Sequence, residues 1–287
     1  MNNATLLFLG TGTSEGVPRV SCLTHPEKHC EVCHDAIKVG SPNRRRNTSI
    51  LISKTLKNKK MLNVLIDVGK FFYESSMNWF PPNTIKTIDA IVLTHAHADA
   101  VGGLDDLRDW TNNTQNIIKG YLRKTDLMSI SRSYDYLVDR SKQTGGGGVA
   151  NLKFNVIDHN PFEVCGIKFT PLPVKHGPTQ WAYGYRFGNV TYISDTSSIP
   201  PETQKLIRGS EILILDALRP RKTHGTHFTL EEAIAFARTI KPNKTLFTDA
   251  AHDVNHVQIN DYLKKNLWDE NLDMQYAYDG QKLQIKL

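Results

Sequence analysis

The segment IDAIVLTHAHADAVGGLDDLR constrains the chain most, because it delivers potential metal ligands at the end of a strand. A hydrophobic strand pattern, Ala90–Leu93, runs into His95-Ala96-His97-Ala98-Asp99. Small residues alternate with the ligand candidates, so the backbone can turn tightly and aim several side chains at one point. Imidazole nitrogen suits zinc or another late divalent ion, and carboxylate oxygen suits a second, harder ion. Further candidates follow other strand-like runs: His176 after TPLPVK, Asp195 after TYIS, Asp216 after EILIL and Asp249 after TLFT. Ligands brought to the ends of several strands let a rigid sheet position a metal cluster.

The rest of the chain supplies strands and helices for such a scaffold. Strand patterns occur at Thr5–Leu9, Ser49–Ser53, Met61–Ile66, Phe154–Ile157, Ile167–Leu172, Tyr183–Phe187, Thr191–Ile193, Ile212–Leu215, Thr245–Phe247 and Leu283–Ile285. Helical patterns cover Gly103–Trp110, Thr125–Val138, Pro201–Ile207, Thr229–Thr239 and Val257–Asn266. Thr229, followed by Glu231 and Glu232, reads as a helix start. No strict strand–helix alternation is present, which predicts two packed sheets with helices outside them. With 287 residues, the chain is read as a single hydrolase domain over 1–287. Its Gly-rich stretch near 141–150, with Gly145–Gly148 at the centre, reads as a surface loop; an active-site flap is the alternative.

Hydrophobic residues at 39% and charged residues at 22% describe an ordinary globular chain. No apolar run is long enough to span a bilayer, and no secretory signal is visible. A cytoplasmic location is expected, with the nucleus as the alternative. The net charge of +6 suits an anionic substrate and equally a solvated basic surface. Arg44, Arg45, Arg46, Arg108, Arg219 and Arg221 are candidate phosphate contacts, although ion pairing is the plainer role for each. Cys22, Cys30 and Cys33 form a C-x7-C-x2-C cluster, which in a chain without an export signal points to a metal site more than to disulfides. Three thiolates need a fourth ligand to close a zinc tetrahedron, and His29, His34, His252 and His256 are the candidates. Cys165 reads as a small apolar packing residue.

Taken together, GTGTSEGVPR, IDVG at Ile66–Gly69, THAHAD with GLDDLR, PLPVKHG, YISDT, LDALR and THFTLEEA resemble the metallo-β-lactamase superfamily. The resemblance is closest to the PhnP-type cyclic-phosphate phosphodiesterases and reaches, further off, to the transfer-RNA 3′-end nucleases. It implies an α+β fold, an αββα sandwich with metals at one edge. It implies that His95, His97 and His176 hold a first metal, that Asp195 bridges two metals, and that Asp99 faces the second, with a hydroxide between them as nucleophile. By the same resemblance Asp67 orients the histidine motif, Asp216 stands behind the ligands, and His227 is the general acid, with His224 the runner-up. The structural zinc would be closed by His252. The pattern departs at Ala100 and Asp249, where imidazoles for the second metal are expected; Asp249, Asp253 or His256 would complete that site. Oxygen ligands there would favour manganese over zinc.

The expected activity is therefore metal-dependent hydrolysis of small cyclic or nucleotide-like phosphodiesters. The cofactors are a structural Zn2+ and up to two catalytic Zn2+ or Mn2+ ions. An RNA-end nuclease, a thioesterase or lactonase, and a metal-stabilised binding protein without turnover are the alternatives. A small phosphodiester is the expected partner; nucleic acid is less favoured, a membrane is not expected, and a homodimer is compatible with the sequence.

Overall fold

Strand residues in this chain are apolar on both faces, and the two faces serve different layers. In the first strand Leu6 and Phe8 join one buried cluster while Leu7 and Leu9 join another. Ile212 and Ile214 likewise point one way, and Leu213 and Leu215 the other. A period of two with both faces buried is what a sheet covered on both sides requires.

The computed structural model describes residues 3–143, 145, 148–267 and 272–287. The strands are β1 Asn3–Gly10, β2 Ser49–Thr55, β3 Met61–Ile66, β4 Ala90–Val92, β5 Ile118–Arg123, β6 Leu152–Ile157 and β7 Phe162–Val164. They continue with β8 Ile167–Lys175, β9 Trp181–Phe187, β10 Val190–Ile193, β11 Ile212–Asp216, β12 Lys244–Thr248, β13 Met274–Tyr276 and β14 Lys282–Lys286. One seven-stranded sheet runs β14-β1-β2-β3-β4-β5-β6 and a second runs β13-β12-β11-β10-β9-β8-β7. Each is antiparallel at one side and parallel at the other: β3 through β6 are parallel, as are β10 through β13.

The helices are α1 Val20–Thr24, α2 Glu31–Ala36, α3 Phe72–Trp79, α4 Ala98–Val101, α5 Arg108–Asn113, α6 Lys124–Ser133, α7 Asp135–Val138, α8 Pro201–Ile207, α9 Leu230–Ile240 and α10 His256–Asn266. The two sheets meet through Phe8, Ile50, Ile66, Tyr185, Tyr192 and Leu246. Phe72 covers the outer face of the first sheet, and Ala233, Ala237 and Leu263 cover that of the second. The architecture is the expected αββα sandwich. At α9 the Thr229 hydroxyl accepts from the Glu232 backbone N–H while the Glu232 carboxylate accepts from the Thr229 N–H, a reciprocal capping box.

Some details differ from the sequence reading. The single helix expected over Thr125–Val138 is two, broken at Tyr134, whose backbone (φ −138, ψ 58) leaves the helical region. Gly103–Trp110 is a 3-10 turn, Leu104–Leu107, running into α5. Of the Gly-rich loop, residues 144, 146 and 147 lie outside the described residues. Among the described residues no helix is long and apolar enough to cross a membrane.

Candidate metal centre

The ligand candidates gather at the carboxyl ends of strands. Asp67 follows β3, the His95–Asp99 segment follows β4, His176 follows β8, Asp195 follows β10, Asp216 ends β11 and Asp249 follows β12. Asp67 and Asp249 both adopt left-handed backbone, at φ 63 and 62, just past their strands. Aspartate tolerates this conformation better than most residues, and such strain concentrates at sites where geometry is over-determined. Gly69 lets the loop after β3 lie against the motif: a Cβ there would sit 2.0 Å from the Asp99 carbonyl oxygen. Val68 N–H donates to the Ala100 carbonyl at 2.7 Å, fixing the two loops together.

Each of the buried imidazoles has its Nδ1 held by a neighbouring oxygen, which leaves Nε2 facing the other imidazoles or nothing at all. Asp67 accepts from the Thr94 N–H and the Thr94 hydroxyl, both at 2.8 Å. With its own proton given to Asp67, the Thr94 oxygen accepts from His95 Nδ1 at 2.9 Å. His95 Nε2 is then buried with no hydrogen-bond partner. His176 Nδ1 donates to the Thr226 carbonyl at 2.9 Å, leaving Nε2 to face His97 Nδ1 at 3.2 Å. Two nitrogens on one tetrahedral zinc, bonded at about 2.0–2.1 Å, lie about 3.3 Å apart. Burial pushes the His95 ring down to about 3, so it stays neutral and available to a cation. Burial, then repulsion by Asp195, pushes Asp99 up to about 6. The buried carboxylates Asp67, Asp195, Asp216 and Asp249 crowd the same region. An orphaned imidazole nitrogen on His95, two more converging at 3.2 Å, and crowded carboxylates fit divalent metal ions.

His227 sits on the other side of this cluster. Its ring centroid is 5.1 Å from that of His176. Its Nδ1 lies 3.0 Å from an oxygen of Asp216 and 3.0 Å from one of Asp249. Burial opposes its charge, but the two carboxylates outweigh this and push it up to about 12 in the metal-free protein. His224 is exposed, with its ring 5.2 Å from that of His227.

The cysteine cluster assembles with His252. The three Sγ atoms lie 3.4, 3.5 and 3.8 Å from His252 Nδ1 for Cys22, Cys30 and Cys33. With Zn–S of about 2.3 Å and Zn–N of about 2.0 Å, tetrahedral zinc predicts about 3.5 Å. His29 and His34 lie against each other with tilted rings, their centroids 4.0 Å apart, and His256 packs against Tyr278. None of the three belongs to a metal-sized group among the described residues. Asp253 faces Arg219 at 3.9 Å, so neither it nor His256 is placed to complete the second site. His256 is instead a neutral histidine: burial, then repulsion by Arg45, pushes it down to about 4 from 6.5. Between those values the unfolded chain binds the extra proton, so stability is lost as pH falls through that window. Replacing His256 by glutamine should flatten the loss of stability between pH 6.5 and 4, measured by denaturant unfolding. An unchanged slope would show that the ring is not held neutral.

The arginine run is a correction to the sequence reading. Arg45 is fully buried and donates to the carbonyls of Ala251 and Val254; Arg44 donates to those of Ala36 and Ile37; Arg46 donates to Val17 and pairs with Glu74. These guanidiniums hold loops together rather than face the metal centre. Arg108 pairs with Asp105 at 3.5 Å. Cys165 packs against the core between the sheets. What the sequence reading missed is a cavity of about 340 Å3 beside His95 and His97, walled by Arg123, Thr179, Gln180 and Trp181. Arg123 is fixed by a two-pronged bond to Asp126 at 2.6 and 2.8 Å, and Lys175 lies 3.8 Å from the Trp181 ring centroid. Thr94 is a further residue of the site, and its only signal in the sequence is a hydroxyl just before a ligand histidine.

Two sheets with imidazoles and carboxylates at the carboxyl ends of their strands define a metal-dependent hydrolase class. The chain belongs to the metallo-β-lactamase superfamily, in its PhnP-type branch: the β-lactamase superfamily domain model matches residues 62–248. The crystal structure of a new diphosphatase from the PhnP family is 34% identical, covering 99% of this chain and 98% of that one, at a TM-score of 0.80. Zinc-bound PqqB from Methylobacterium extorquens shares the fold at 18% identity and TM-score 0.73, covering 97% of this chain and 99% of that one. A curated octanoyltransferase from Porphyromonas gingivalis is 31% identical over 229 residues, 79% of this chain. The chain spans only 42% of the length of that relative.

Proposed function

We propose that this protein hydrolyses small nucleotide-like substrates at a disubstituted phosphate, either a phosphodiester or the bridging P–O bond of a diphosphate. The observation that carries the reading is the convergence of His95, His97 and His176 at ligand spacing, with Asp195 beside His176 and Asp99 3.9 Å from His95, opening on a cavity of about 340 Å3. Full-length likeness to a PhnP-family diphosphatase supports the phosphorus chemistry. In this reading His95, His97 and His176 hold a first divalent ion, and Asp195 and Asp99 face a second. Such ions supply Lewis acidity and an activated water at neutral pH. The chain's own contribution is positional. Thr94 and Asp67 lock the His95 ring, and Trp181 and Gln180 wall the space where the rest of the substrate lies. His224 and His227, whose rings lie 5.2 Å apart with His227 5.1 Å from His176, are the candidates to pass a proton to the leaving oxygen.

The reading is tested with bis-p-nitrophenyl phosphate, 2′,3′-cyclic nucleotides and a dinucleoside diphosphate, with metals counted in the same sample. Turnover of at least one phosphorus substrate, abolished by chelation and restored by Zn2+ or Mn2+, is expected. A fully metal-loaded protein inert on all three, yet active on thioesters or lactones, would overturn it.

A further inference from the structure

His227 has the same arrangement as the two buried imidazoles of the first site. His95 is held at Nδ1 through Thr94 and Asp67, and His176 at Nδ1 by the Thr226 carbonyl. His227 is held at Nδ1 by Asp216 and faces Asp249 at the same distance. A histidine whose one nitrogen is anchored by a carboxylate or carbonyl, leaving the other to the metal, is the usual form of a metal-ligating imidazole. His227 also stands at ligand spacing. Its centroid lies 5.1 Å from His176, within the 4.6 to 5.2 Å that separate His95, His97 and His176 from one another. His176, Asp195 and His227 form a group whose ligand atoms lie within 4.8 Å. Asp249 and Asp216 both face His227 Nδ1 at 3.0 Å, so the group these three form is an imidazole clamped on one nitrogen by two carboxylates. The Asp249 carboxylate stands behind the His227 ring.

We propose that His227 is itself a ligand of the second catalytic metal, through Nε2, and that Asp216 and Asp249 are positioning carboxylates that orient its ring. The proposal rests on the metal-centre reading above and reassigns two of its residues. His227 is removed from the proton-donor role, which falls to the exposed His224. Asp249 is removed from the ligand set. With Asp99, Asp195 and one imidazole, the second site combines oxygen with nitrogen, so zinc binds there more tightly than manganese. That reverses the preference expected from an all-carboxylate site.

The test is titration of the metal-free protein with Zn2+ and separately with Mn2+, by calorimetry and elemental analysis. The unmodified chain is compared with His227→Ala, His227→Gly and Asp249→Asn. The Cys22–Cys30–Cys33–His252 cluster is an internal control, since a folded variant keeps its zinc. His227→Ala should lose the second catalytic zinc, with affinity falling beyond the about 10–100-fold that loss of an orienting partner costs. Asp249→Asn should fall within that range. Free imidazole should restore the second zinc to His227→Gly, which neither a proton donor nor a packing residue would allow. Second-site zinc bound as tightly by His227→Ala as by the unmodified chain would overturn the proposal, as would a larger loss in Asp249→Asn. Should the His227 variants lose the control zinc too, X-ray absorption of the unmodified zinc protein decides. A fourth imidazole at the catalytic ions supports the proposal and three overturn it. Because these readouts need no turnover, a protein that binds zinc as stated but hydrolyses no phosphorus substrate overturns only the proposed activity.

Discussion

Replacing Cys33 by serine should strip one zinc from the chain, lower its melting temperature by on the order of 10 °C and depress activity, although Cys33 touches no catalytic candidate. Besides the Arg44 and Arg46 bonds to its carbonyls, the segment that carries the thiols has little apolar packing to hold it. α1 and α2 are five and six residues long, far too short to persist alone. Their private core consists of Val17, Val32, Cys33 and Ala36, with Cys22, Leu23 and Cys30 partly covered. So small a core does not offset the ordering of some twenty residues, and a metal crosslink is the standard remedy. The fourth ligand, His252, belongs to the loop that leaves β12 through Asp249. Losing the zinc therefore frees both the thiol segment and the loop that seats Asp249 behind His227. Zinc content by elemental analysis and melting by calorimetry check this. A Cys33→Ser protein with unchanged zinc, unchanged melting and full activity would show that the thiols are merely reduced neighbours.

Legibility in the sequence followed the physics of each feature. The motif after β4 could be read because an apolar strand stops abruptly at alternating small and ligating residues, a pattern with few structural uses. The same held for His176, Asp195, Asp216 and Asp249, each placed at the end of a strand-like run. β5 was missed because Lys119 and Gly120 interrupt its apolar pattern, and β13 because three residues carry no period. Both are held by their neighbours in the sheet, a tertiary effect that local sequence does not encode. The arginine run misled for a related reason. Whether a guanidinium faces solvent, substrate or a carbonyl depends on loops such as Ala251–Val254, which reach Arg45 from the far end of the chain. The orientation of His227 was invisible on the same grounds, since the carboxylates on its Nδ1 arrive from two other strands.

The second large effect should come from Asp67, which reaches the metal centre only through another side chain. Asp67→Ala is expected to weaken first-site zinc about 10–100-fold, the cost of removing an orienting partner from a metal-ligating histidine. The carboxylate is buried and accepts both Thr94 donors at 2.8 Å, and the Thr94 oxygen in turn accepts from His95 Nδ1 at 2.9 Å. Burial first, then Asp195 and Asp99, push the Asp67 carboxyl well above its ordinary range when no metal is present. A bound dication relieves that repulsion, so Asp67 and the metal favour each other. Thr94→Val keeps the shape but deletes the link, leaving His95 Nδ1 and one Asp67 oxygen buried without partners; each such group costs about 1–3 kcal/mol. If the three groups act as one chain, the double variant Asp67→Ala/Thr94→Val should bind zinc little worse than Asp67→Ala alone, because the second change removes what the first had already broken. Calorimetric zinc titration of the four proteins measures the coupling. Strictly additive losses would mean that Asp67 and Thr94 support the site independently and that the His95 ring is fixed by packing alone.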